Sequence, residues 1–185
     1  LADGSTRHVQ TYAGPIEIYG DKLMLCIVHD ITEQKRLEEQ LEHAAHHDAM
    51  TGLLNRRQFY HITEPGQMQH LAIAQDYSLL LIDTDRFKHI NDLYGHSKGD
   101  EVLCALARTL ECCARKGDLV FRWGGEEFVL LLPRTPLDTA LSLAETIRVS
   151  VAKVSISGLP RFTVSIGVAH HEGNESIDEL FKRVD

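Results

Sequence analysis

The stretch Leu119-Val120-Phe121-Arg122-Trp123-Gly124-Gly125-Glu126-Glu127-Phe128-Val129-Leu130-Leu131-Leu132 decides the fold. Two apolar runs too short for helices flank two glycines and two glutamates, which predicts a hairpin whose turn uses glycine for positive φ. Upstream, Ser78-Leu79-Leu80-Leu81-Ile82 reads as a buried strand ending in Asp83, and Val102, Leu103, Leu106, Ala107 and Leu110 keep helical period. Downstream, residues 140–151 return to helix, and Phe162, Val164, Ile166 and Val168 alternate with polar neighbours as a strand. The order β-α-β-β-α-β is the split βαβ arrangement, a ferredoxin-like α+β sheet with flanking helices. Leu53, Leu54 and Phe59 suggest a helix before it, and Ile177, Leu180 and Phe181 open one after it.

The 185 residues allow one domain plus an appendage. A formal charge of −8 with no Lys/Arg run lacks the footprint of a duplex-binding protein, although a nucleotide ligand stays open. The longest apolar runs, 23–28 and 128–132, are far short of the ~20 residues a spanning helix needs. Membrane attachment is therefore expected only from segments upstream of Leu1, where the chain starts without an initiator Met. Cys26, Cys104, Cys112 and Cys113 form no CxxC pair and no zinc spacing, and their apolar surroundings predict buried thiols in a reducing cytoplasm.

The first 31 residues read differently. Val9–Tyr12 into Ile16–Ile18, a turn at Gly20-Asp21 and the apolar run 23–28 predict two strands, which cannot bury a core alone. Asp30-Ile31-Thr32-Glu33 marks a helix start with Asp30 or Thr32 as cap, and Leu37, Leu41 and Ala44 form a short coiled-coil-like seam within 34–45.

Chemistry concentrates around the hairpin. In the split βαβ fold the first and third β-units lie side by side, which brings Asp83 close to Glu126 and Glu127. Carboxylates converging from adjacent strands suit Mg²⁺, a hard ion that keeps substrate phosphates as partners. The alternative is a solvated hairpin tip and a strand-end cap. Thr84-Asp85-Arg86-Phe87-Lys88 opens a helix, whose N-terminal amides suit phosphate. An Asp carboxylate at Asp100 and an Asn amide at Asn91 match the edge of guanine and mismatch adenine. Asp100 has a second reading, as the cap of a helix over 101–113.

The motifs His47-Asp48-Ala49-Met50-Thr51-Gly52-Leu53-Leu54-Asn55-Arg56-Arg57, Asp83-Thr84-Asp85-Arg86-Phe87-Lys88-His89-Ile90-Asn91-Asp92, Gly95-His96-Ser97-Lys98-Gly99-Asp100, Arg122-Trp123-Gly124-Gly125-Glu126-Glu127-Phe128 and Thr163-Val164-Ser165-Ile166-Gly167-Val168-Ala169 occur in the order of the GGDEF domain, and the chain over 48–185 resembles that family in its GGEEF form. The resemblance implies a palm-like diguanylate cyclase that condenses two GTP into cyclic di-GMP and two pyrophosphates as a homodimer. It assigns the metal ions, Mg²⁺ or Mn²⁺, to Asp83, the carbonyl of Thr84 and Glu126, with Glu127 adjacent, and catalysis to Asp83, Glu126 and Glu127. Glu126 would assist deprotonation of the 3′-hydroxyl. Substrate would meet Asn91 and Asp100 at guanine, Leu54 in the base pocket, which the backbone N–H of Phe87 would complete, and Gly124 and Gly125 at the ribose and α-phosphate; it would also meet Lys88.

Arg115-Lys116-Gly117-Asp118 stands at the family's spacing for RxxD, which implies an inhibitory cyclic di-GMP site at Arg115 and Asp118. Relatives often add an Arg from the next helix, where Thr146 stands here with Arg148 nearby. A Tyr-containing helix ending in a triphosphate-binding Lys and Arg is expected after Asp185. Cys26-Ile27-Val28-His29-Asp30-Ile31-Thr32-Glu33-Gln34-Lys35 resembles the last strand and exit motif of a PAS sensor, so residues 1–31 would end a PAS domain and 32–47 form a signalling helix. The competing expectation is a catalytically silent module that binds GTP or cyclic di-GMP. His43, His46 and His47 fall at metal-ligand spacing, but a solvated helix face is the expected reading.

Overall fold

The computed structural model describes residues 6–64, 76–173 and 175–184. The chain divides into two compact units, one ending at Ala45 and the other beginning at His46.

In the first unit, β1 (Val9–Ile18) and β2 (Asp21–Asp30) form an antiparallel hairpin with Val9 opposite Asp30. The connecting residues are Tyr19 and Gly20, with φ of +52° and +88°, one position earlier than the Gly-Asp turn the sequence suggests. A two-residue loop with positive φ at both positions matches the twist of paired strands. Every residue of β2 is exposed, including Leu23, Met24, Leu25, Ile27 and Val28. Thr32 opens α1 (Thr32–His46), and its backbone N–H donates to the Asp30 carboxylate. Hydrogen bonds from Thr32 and Arg7 hold the Asp30 carboxyl below the usual carboxylate range. Along α1, Glu33–Arg36 and Lys35–Glu38 pair at i,i+3, while Leu37 and Leu41 are exposed.

The second unit is built on a five-stranded sheet in the order β3-β5-β6-β4-β7. Its strands are β3 (Leu54–Asn55), β4 (Tyr77–Thr84), β5 (Leu119–Gly124), β6 (Glu127–Pro133) and β7 (Val164–His170). Only the β3–β5 pair is parallel. Its helices are α2 (Arg56–Thr63), α3 (Phe87–Tyr94), α4 (His96–Cys113), α5 (Leu137–Val151) and α6 (Ile177–Val184). The four longer strands have the ferredoxin-like order, with β4 and β6 adjacent at the centre.

Alternation along the central strands divides the core in two. Leu80, Ile82, Phe128, Leu130 and Leu132 share a cluster with residues of α3, α4 and α5. Tyr77, Leu79, Val129 and Leu131 share the other with Phe59 and Ile62 of α2 and Leu180 and Val184 of α6. Burial on both faces is why these strands read as unbroken apolar runs rather than an alternating pattern. Phe59 is central to the second layer, meeting Phe121 edge-on at 5.2 Å and Phe181 at 5.4 Å. Truncating so fully buried an aromatic to Ala costs about 3–5 kcal/mol.

Three expectations are corrected. Helix α4 begins at His96, so Asp100 lies inside it and is not its cap. Helical backbone continues back to the glycine at Gly95, whose φ of +83° breaks the chain from α3. Leu53 and Leu54 precede α2 rather than belonging to it, because Asn55 caps that helix by accepting from the Gln58 N–H. None of the four cysteines is fully buried: Cys26 and Cys112 are exposed, and Cys104 and Cys113 are half-buried. Among the described residues no helix is long and apolar enough to cross a membrane.

Candidate active site

The carboxylates meet where β4 ends against the β5–β6 turn. Asp83 lies directly opposite Glu127 in the β4–β6 ladder, and the Thr84 hydroxyl donates to the Glu126 carbonyl at 3.3 Å. Like charges placed opposite each other in a ladder are destabilising. Desolvation first, then the Asp85 charge, pushes the Asp83 carboxyl up; desolvation, then Asp83 and Glu127, does the same for Glu126. Mutual repulsion at a half-buried site is what a divalent cation relieves.

The turn between the strands is held open. Gly125 has a φ of +54°, and a Cβ built at Gly124 or Gly125 would meet no other atom within 4 Å. Backbone conformation and not packing favours glycine at Gly124, where φ is +156°, and the space above the turn is open. A bulge in β5 between Arg122 and Gly124 re-aims the turn. Arg122 secures it. Its guanidinium donates through Nη1 to both Asp48 oxygens at 3.0 and 3.1 Å and through Nη2 to the Gly125 carbonyl at 3.0 Å. Asp48 also accepts from the Thr51 N–H and hydroxyl. Burial, the largest single influence on the Asp48 carboxyl, raises it, but the Thr51 and Arg122 donors outweigh burial and leave it below the usual range.

Helix α3 starts at Phe87 after Arg86, and no side chain caps it, so the first amides stay available. Asn91 lies on α3, and its Oδ1 is buried with no hydrogen-bond partner. Gly99 of α4 is the surface it rests on, since a Cβ there would fall 2.0 Å from that oxygen. Asp100, the next residue, is exposed, as is Lys88. The structure thus brings Asp83, Thr84, Glu126 and Glu127 together at the strand ends, with Phe87, Lys88 and Asn91 on the helix that follows β4.

Leu54 pairs with Phe121 in β3, and with Leu53, Arg115 and Asp118 it lines a cavity of about 370 Å³. Its neighbour Leu53 is the residue buried in the cluster of Phe87, Ile90 and Val102. A one-residue step changes the side of the sheet a residue serves, which spacing alone cannot resolve here. Arg122 and Gly99 are contributions that motif reading missed; an Arg two positions before a glycine turn was the available signal for the first.

The Arg115–Asp118 pair forms a closed clasp. The Asp118 carboxylate, 3% exposed, accepts from the Arg115 N–H and Nε, and Arg115 Nη2 donates to the Pro133 carbonyl and the Thr135 hydroxyl. Arg148 is turned to Glu145. His46 stacks on His61 at 6.4 Å. Among the described residues no three His, Cys, Asp or Glu side chains form a complete metal-binding group. A few carboxylates, a backbone carbonyl and substrate oxygens are nevertheless the donor set Mg²⁺ prefers, so the residues present fit that ion.

A βαββαβ sheet with carboxylates at one strand end and a glycine turn beside them defines the class, and the similarities are specific. Residues 45–185 match the family Diguanylate cyclase, GGDEF domain, and the chain belongs to that family. It is 37% identical over 163 residues to diguanylate cyclase VdcA of Vibrio cholerae, covering 83% of this chain and 47% of that protein. The fold matches the coiled coil and GGDEF domain of DgcB from Caulobacter crescentus in complex with c-di-GMP, with a TM-score of 0.73, 29% identity and coverage of 83% and 85%. It also matches diguanylate cyclase SiaD from Pseudomonas aeruginosa in complex with its activator SiaC, with a TM-score of 0.70, 37% identity and coverage of 83% and 60%. The chain spans about half the length of the curated relatives it matches.

Proposed function

We propose that this chain carries the cyclase domain of a diguanylate cyclase, which condenses two GTP into cyclic di-GMP and two pyrophosphates with one GTP held on each of two facing domains. The observation that carries the reading is Asp83 opposite Glu127 with Glu126 in the adjoining turn, in a chain of this family. Asp83, the Thr84 carbonyl and Glu126, with Glu127 adjacent, would hold Mg²⁺ or Mn²⁺. Such an ion, when bound, neutralises charge on the phosphates and favours departure of pyrophosphate.

The chain's own groups do the rest. Asn91 and Asp100 read guanine, and the buried, unpartnered Asn91 oxygen supports a ligand donor there. Leu54 is read as lining the base pocket. The amide of Phe87 and the Lys88 ammonium hold phosphate, and Gly124 and Gly125 leave room for the ribose and α-phosphate. The 3′-oxygen of one GTP attacks the α-phosphorus of the other, a new P–O bond forms and the bond to the pyrophosphate oxygen breaks; the reciprocal attack by the second 3′-oxygen closes the ring and releases the second pyrophosphate. The 3′-hydroxyl proton passes to the Glu126 carboxylate, acting as general base.

Regulation follows from the flanking elements. Residues 1–31 are read as the end of a PAS sensor and 32–47 as a signalling helix whose Leu37 and Leu41 seam pairs two chains. Cyclic di-GMP would bind at Arg115 and Asp118 once their internal clasp opens, in a cytoplasmic protein. Incubating a dimeric preparation, freed of bound nucleotide, with GTP and Mg²⁺ should yield cyclic di-GMP; its absence would overturn the enzymatic reading.

A further inference from the structure

The motif Thr163-Val164-Ser165, at the entrance to β7, holds none of the residues assigned to metal or nucleotide, yet the fold ties it to the end of β4. Ser165 lies opposite Asp83 and Val164 opposite Thr84 in the β4–β7 ladder. Val164 is buried, so the side chains of Thr163 and Ser165 share the other, exposed face. Both hydroxyls donate to one carboxylate, that of Asp85, at 2.5 and 2.6 Å and one to each oxygen. Asp85 follows the last residue of β4. Its N–H also donates to the Thr163 carbonyl at 3.0 Å, which carries the ladder one residue past the strand.

That last bond decides the direction of a carbonyl. The N–H of Asp85 and the C=O of Thr84 belong to one trans peptide plane and point in opposite directions. Strand β4 lies between β6 and β7. Because the N–H is held towards β7, the Thr84 carbonyl is aimed towards β6, on whose side Glu126 and Glu127 stand. The Thr84 hydroxyl, donating to the Glu126 carbonyl at 3.3 Å, ties the same residue to that turn. A carbonyl serves as a metal ligand only while its oxygen faces the ion. The next residue, Arg86, has a φ of +56°, a left-handed backbone uncommon outside glycine, so local preference does not hold this turn in shape. The bracket from β7 does.

We propose that Asp85 is a positioning residue for the metal centre: gripped by the hydroxyls of Thr163 and Ser165, it fixes the Thr84 peptide so that its carbonyl faces the cation-binding carboxylates. The inference rests on the diguanylate cyclase reading, which assigns that carbonyl to the metal, and adds three residues that act through it. Asp85 works through its two acceptor oxygens and not through its charge. Asparagine can accept from one hydroxyl and donate to the other, so Asp85→Asn keeps the bracket while removing the charge. Losing the hydroxyls instead keeps the charge and opens the bracket.

The test compares the wild type with Asp85→Asn, Asp85→Ala and a double variant, Thr163→Val with Ser165→Ala. Mn²⁺ binding is read by electron paramagnetic resonance, and cyclic di-GMP formation is followed across a Mn²⁺ series, with thermal unfolding alongside. The double variant and Asp85→Ala should bind Mn²⁺ about tenfold more weakly and need about tenfold more of it for half-maximal rate, while kcat at saturating Mn²⁺ stays near that of the wild type. Asp85→Asn should remain within about threefold of the wild type in both measurements. If Asp85→Ala does not fold, the double variant and Asp85→Asn decide between them. A double variant with the Mn²⁺ dependence of the wild type would overturn the proposal. So would a tenfold loss in Asp85→Asn, which would mean that the ion is served by charge at Asp85. A wild type that neither binds Mn²⁺ nor forms cyclic di-GMP would overturn the cyclase reading and the proposal together.

Discussion

The α-carbon of Gly99 sits so close to Asn91 that a methyl group there would fall 2.0 Å from the Asn91 amide oxygen. Helix propensity favours Ala over Gly by about 1 kcal/mol in a helix interior, and Gly99 stands in the first turn of α4. Glycine is kept at that expense because it leaves room for the one buried amide oxygen on α3 that has no partner. Gly99→Ala should therefore raise the KM for GTP about tenfold while leaving the melting temperature close to that of the wild type. Asn91→Ala should match it, and the double variant should be no worse than either single one. Steady-state kinetics beside thermal unfolding separates these effects.

Asp48 and Arg122 join segments 74 positions apart. The Asp48 carboxyl lies below its ordinary range in the folded state, so its contribution is present above the unfolded value of about 4 and is lost as pH falls through the folded value. Asp48→Asn should cost about 1–3 kcal/mol at neutral pH and flatten the acid limb of the stability profile. Urea denaturation from pH 7 downward measures both. An unchanged acid limb would show that the pair is not responsible for it.

Asp83 and Glu126 repel each other in the protein without a cation. Asp83→Asn should abolish cyclic di-GMP formation, by about a hundredfold or more, yet leave the metal-free protein as stable as the wild type or slightly more so. Addition of Mn²⁺ should raise the melting temperature of the wild type and not of the variant.

Gly167 lies in β7 under the end of α6, where an added Cβ would fall 2.0 Å from the Val184 carbonyl oxygen. That obstacle is backbone and cannot rotate away. Gly167→Ala should destabilise the second unit by about 1–3 kcal/mol, read by chemical denaturation.

Arg115 spends its guanidinium on Asp118, the Pro133 carbonyl and Thr135. A ligand at this site must displace those contacts. Arg115→Ala should relieve inhibition by added cyclic di-GMP at least tenfold, measured as pyrophosphate release. Thr135→Val, which removes an internal competitor for the guanidinium, should instead strengthen inhibition severalfold.

Much was legible in the chain itself. The apolar runs of β4, β5 and β6 are fully buried strands because helices cover both sheet faces, and the glycines at Gly124 and Gly125 mark the turn between two of them. Local signals failed where a neighbour in space decided the outcome. The start of α4 moved back to His96 once the glycine break at Gly95 was in place, which turned Asp100 from a cap into a residue of the helix. Leu53 and Leu54 are equally apolar, and only the β3–β5 pairing separates their surroundings.

What the sequence by itself determined is the order of elements and the chemistry at their ends, since periodicity and turn residues act over a few positions. Tertiary structure alone decided which charges are spent across the fold. Asp85 answers to Thr163 and Ser165, Arg122 to Asp48, and Arg115 to the Pro133 carbonyl and Thr135, while Arg86 and Arg161 are left facing a cavity. Charge pairing depends on distances of a few ångströms between segments that folding brings together, and no local pattern in the chain encodes them.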